Sequence, residues 1–168
     1  MISEGAVHAF VPFTGTQSAA LAETFACEPR TWLPEPGAQP WVSLWVGGRP
    51  APARLALGPP ASGEQTTSRT ILLDPHGGCA AAPSYVGILE VRSAGRGSAL
   101  VLRAHYRYGP TRLRPAAGHR TAHEAATRWL TAVARTLGTA TAARRTACKA
   151  VHPSTGSARF GPLHGVPT

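Results

Sequence analysis

The chain is short of acids. Of its 168 residues only eight are Asp or Glu, against 17 Lys or Arg, and just 15% are charged at all. No pair of carboxylates shares a motif, so acid–base chemistry, if any, would fall to His or Tyr. Cysteine is scarce too. Cys27, Cys79 and Cys148 are odd in number, widely spaced and free of any CxxC pair, which supports neither a disulfide framework nor a zinc cage. No run approaches the ~18 apolar residues that a membrane span needs. Glu4 and Gly5 precede any apolar run, so no secretory leader is expected, and a reduced, cytoplasmic setting is. There is no Ser-His-Asp arrangement, no glycine loop to cradle a phosphate and no internal repeat. These patterns call for neither a cofactor nor a metal.

What is present is a strong change of period. In Ser98–Tyr108, Leu100, Leu102, Ala104, Tyr106 and Tyr108 share one face while Arg103, His105 and Arg107 alternate onto the other, as in a half-buried strand. After Pro115 and Gly118, the residues Ala122, Ala125, Ala126, Trp129, Leu130, Val133 and Leu137 recur at helical spacing. Thr121 with Glu124 fits a capping box and Gly138 a C-terminal stop, giving a helix of roughly 24 Å.

Upstream, Ala6–Phe13 reads as a strand and Thr16–Ala26 as a short helix capped by Thr14 or Thr16. Pro29 allows one further turn. Pro34, Pro36 and Pro40 force a loop. Trp41–Val46 is a compact apolar strand, Gly47-Gly48 a tight turn and Arg54–Leu57 a return strand weakened by Pro50 and Pro52. Arg69–Leu73 is another strand, and Tyr85–Arg92 forms a hairpin with Ser98–Tyr108. Successive, hairpin-linked strands predict an α+β fold with an antiparallel sheet. Residues 139–168 hold four basic residues and no acid, show neither period, and are expected to form a disordered tail beside a domain of residues 1–138.

Three stretches resemble the START-like (SRPBCC, polyketide cyclase/dehydrase-like) helix-grip superfamily. Phe25-Ala26-Cys27-Glu28-Pro29-Arg30-Thr31-Trp32-Leu33-Pro34 is similar to the segment after the family's first helix. Val86–Val91 with Ser98–Tyr106 is similar to its last two strands, and Gly118-His119-Arg120-Thr121-Ala122 to the start of its last helix. The stretch between last strand and helix, Gly109–Gly118, is briefer than is common in the family. The resemblance implies a curved sheet wrapped around the final helix, with an internal cavity between them. In that architecture Leu100, Leu102, Ala104, Tyr106, Ala126, Trp129 and Val133 would line the cavity.

The expected partner is then a hydrophobic or aromatic small molecule, as family members bind lipids, sterols or polyketides. Some members catalyse cyclisation or aromatisation, a second possibility in which Tyr106 would hydrogen-bond a developing enolate. A third is a non-enzymatic interaction protein that docks through its basic tail. His119 and His123 are four apart, as ligands on one helix face would be, but no third ligand accompanies them and solvated histidines are the expectation. The net charge of +9 attracts polyanions in general, yet no sequence-reading nucleic-acid motif appears.

Overall fold

Period-two burial runs through every long strand of the computed structural model, which describes residues 4–14, 18–34, 41–76, 82–94, 97–109 and 115–151. In chain order the elements are β1 (Glu4–Phe13), α1 (Ser18–Ala26), a 3-10 turn (Pro29–Thr31), β2 (Trp41–Val46), β3 (Arg49–Leu57), β4 (Ala61–Ser62), β5 (Thr66–Pro75), β6 (Ser84–Ala94), β7 (Gly97–Arg107) and α2 (Pro115–Val151). All pairing is antiparallel, in the order β1-β7-β6-β5-β3-β2, with β4 attached to β5. The α+β expectation holds.

The two edge strands, β1 and β2, both pack on α2. A flat sheet of six strands cannot touch one helix with both edges, so the sheet curls around it as a half-barrel. Side chains on the concave face meet α2 and α1 in one continuous core that includes Leu21, Phe25, Trp32, Leu44, Leu73, Leu89, Leu100, Leu130 and Leu137. The fold is helix-grip-like.

Local chemistry explains the turns. Gly47 and Gly48 take φ of +57° and +79°, the two left-handed residues a tight hairpin demands. Pro50 and Pro52 lie inside β3, which begins at Arg49 rather than Arg54. They are tolerated because the β3–β5 ladder ends here: Pro52 O still accepts from His76 N at 2.9 Å, and the missing N–H groups fall at and beyond that end. Gly87 of β6 sits opposite Ala104 of β7, where an added Cβ would run into the backbone of Arg103 and Ala104.

The last helix departs from expectation at both ends. It starts at Pro115, a residue suited to the first helical position, so Thr121 is not a cap but an interior residue whose hydroxyl donates to Ala117 O at 2.9 Å. Nor does Gly138 end it. Interior glycine costs about 1 kcal/mol, but Ala140, Ala142 and Ala143 are strong helix formers, and burial of Thr141 (1% exposed) adds tertiary support. Residues 139–151 are therefore helical and not an unstructured tail; residues 152–168 lie outside the described residues, as do Thr16, Pro36 and Pro40.

Candidate functional site

The alternating face of β7 and the apolar stripe of α2 meet in the interior. Leu100, Leu102, Ala104 and Tyr106 from the strand, and Ala126, Trp129 and Val133 from the helix, are all at least 96% buried within the core. Arg103, His105 and Arg107 lie on the opposite, convex face and are exposed.

Three tyrosines tie the sheet to the first turns of α2. Tyr85, on the concave side of β6, donates to Ala122 O at 2.7 Å, and Tyr108 donates to Gly118 O at 3.1 Å. Tyr106 packs edge-on against Tyr108, and its hydroxyl lies 3.2 Å from His119 Nδ1. Tyr106 also crosses Gly5 of β1, where a Cβ would meet its ring. His119 and His123 are exposed on α2, and no group of three possible ligands is placed to hold a metal among the described residues. Starting α2 at Pro115, before the expected cap at Thr121, places His119 inside the helix, where its Nδ1 reaches the Tyr106 hydroxyl.

Burial raises the Tyr85 hydroxyl's pKa, with Tyr108 and Tyr106 adding to the effect; burial and Tyr106 push Tyr108 up to about 12. Both tyrosines stay protonated in the fold at pH values where an unfolded chain, near 10, begins to ionise. Stability should be insensitive to these groups below pH 10, then fall between about pH 10 and 12 by roughly 1.4 kcal/mol per pH unit for each tyrosine. Urea midpoints across that window check this, and Tyr108→Phe should flatten the slope. An equally steep slope in the variant would show that Tyr108 is not a source of it.

Arg69 is a buried feature that sequence reasoning passed over. It lies on the concave side of β5, 5% exposed, and donates to Phe25 O at 3.2 Å, Ala26 O at 2.9 Å, Cys27 O at 2.8 Å and Gly58 O at 2.9 Å. One planar guanidinium thus closes the C-terminus of α1, where free carbonyls and the helix dipole favour a cation. Burial lowers its pKa, and Cys27 opposes that shift. On the convex face Glu90, 3% exposed, is held between Arg92 at 2.6 Å and Arg103 at 2.9 Å.

The convex side also carries an open groove of about 760 Å³ bounded by Glu4, Gly5, Val86, His105, Tyr106 and Arg107. Among the described residues no helix is long and apolar enough to cross a membrane.

A six-stranded antiparallel half-barrel closed by a long C-terminal helix defines the class of this protein as helix-grip-like. No protein-family model matches the chain, and no curated protein sequence matches it. Among solved structures it is similar to Mll3558 from Rhizobium loti, with a TM-score of 0.47 and 12% identity over 81% of this chain and 99% of that one. It is also similar to hypothetical protein jhp0584 from Helicobacter pylori, with a TM-score of 0.47 and 7% identity over 84% of this chain and 88% of that one.

Proposed function

We propose that the protein binds a hydrophobic or aromatic small molecule between the concave face of the sheet and α2, as a START-like protein would. The observation that carries this reading is Trp129. Its indole N–H is fully buried and has no hydrogen-bond partner among the described residues. An unpaired buried donor costs about 1–3 kcal/mol, and a ligand with one acceptor on an apolar body would relieve it. Ala104, Ala122 and Ala126 keep the facing positions small.

An apolar fluorescent probe tests the reading. Wild-type protein should take up the probe, and Ala104→Trp should abolish uptake while leaving the far-UV circular dichroism unchanged. A protein that takes up no probe, and that Ala104→Trp merely unfolds, has a solid core, since overpacking costs roughly 1–3 kcal/mol.

A second reading, an enzyme of the cyclase or aromatase type, draws on the Tyr106–His119 pair. A hydroxyl beside an imidazole is equipped to donate to a developing enolate. Tyr106→Phe should then lose turnover of a polyketide-like carbonyl substrate while retaining probe uptake.

A further inference from the structure

The solvent side of α2 carries a marked excess of positive charge. Arg120, Arg128, Arg135 and Arg145 are all exposed. At 100° per residue they fall within an arc of about 100°, and at 1.5 Å per residue they span about 37 Å of a straight rod. Glu124, the helix's single acid, is exposed within the same arc, one turn from both Arg120 and Arg128. None of the four arginines has an ion-pair partner among the described residues. Arg144, beside Arg145 in sequence, points the other way and donates to Cys27 Sγ at 2.6 Å. The stripe is therefore sorted by helix phase.

A face that is merely solvated interleaves both signs, which gains i,i+4 pairing and avoids self-repulsion. This one sets four arginines against one acid, and beyond Arg128 it spaces them among Thr131, Thr139 and Ala142, all exposed and small. Small neighbours let a broad surface approach the guanidinium groups, and arginine is the side chain suited to phosphate oxygens. Among the described residues the large exposed apolar side chains, Phe10, Trp41, Trp45, Leu72, Val86 and Ile88, all lie on strands. Among the described side chains the α2 face thus offers nothing to insert into a bilayer, which favours a rigid polyanion over a membrane.

We propose that the solvent face of α2 binds the sugar–phosphate backbone of double-stranded nucleic acid without reading its sequence. Each arginine neutralises one phosphate and releases its counterion, so affinity falls steeply with salt.

Fluorescence anisotropy of a labelled random-sequence duplex, titrated with the full chain from low to physiological salt, tests this. A plot of log affinity against log salt should have a slope of about −3 to −4. Combining Arg120→Gln, Arg128→Gln and Arg135→Gln should remove about 3 from the magnitude of that slope and weaken low-salt binding at least about tenfold. Circular dichroism checks that the helix is kept. Arg54→Gln with Arg107→Gln, on the convex sheet face, should leave both quantities unchanged, and a second duplex of different sequence should bind equally. No duplex binding at low salt would overturn the proposal. So would equal losses from the sheet-face variant, or capture by phosphatidylserine vesicles without binding to the duplex.

Discussion

Replacing Arg69 with methionine should destabilise the protein by about 3–5 kcal/mol, although methionine fills a similar volume. The loss comes from the acceptors left behind. Phe25 O, Ala26 O and Cys27 O lie at the end of α1, and with Gly58 O they all accept from this one guanidinium, Cys27 O also accepting from Trp32 Nε1 at 3.4 Å. Without it, buried carbonyls are stranded, each costing on the order of 1 kcal/mol or more, and the cation that complements the helix terminus is gone. The guanidinium also stacks over Phe25, 5.8 Å from the ring centroid. Arg69→Lys should recover only part of the loss, because an ammonium cannot reproduce the fork that reaches four oxygens from three nitrogens. Urea unfolding of the three proteins gives the ranking. If methionine matched arginine, the carbonyls would have found water, and α1 would be less firmly seated than its burial indicates.

Arg69 also marks where sequence reading stops. Period two places Thr67, Arg69, Ile71 and Leu73 on one face, so an inward arginine is written in the pattern of β5. What it meets there is not written. Three of its four acceptors come from residues more than 40 positions earlier, in a helix end that only the curl of the sheet brings over the strand. The same limit applies to Glu90, whose two arginines are legible as charges but not as a clamp. By contrast, β2 is Trp41–Val46 as its apolar run predicts, and the faces of β7 and α2 are as their periods predict. Local patterns decide which side of an element is buried. The end of α2 departs from its local pattern as well: Gly138 reads as a stop, but Thr141 packs inside. Whether the seven residues expected to line a cavity enclose free space depends on how tightly the sheet curls, a property that no single segment encodes.

Trp129 is where stability and ligand binding separate. Trp129→Ala should cost about 3–5 kcal/mol, as large aromatic deletions in cores do, because the side chain is 97% buried in the core between sheet and helix. Arg128→Ala, one position round the helix and exposed, should cost under about 0.5 kcal/mol, so the ratio of the two reads the helix phase directly. Trp129→Phe divides the remaining question. Phenylalanine keeps an aromatic ring but deletes the unpaired N–H, so the lost packing is partly offset by removing a buried donor that costs about 1–3 kcal/mol. In the unliganded protein this variant should unfold close to wild type. If a bound molecule supplies the acceptor, the same variant should bind an apolar probe bearing a carbonyl more weakly than wild type, while binding a pure hydrocarbon probe equally well. Equal weakening for both probes would assign Trp129 to shape alone. Unchanged binding of both would place the ligand elsewhere and leave the indole N–H as an uncompensated cost of the core.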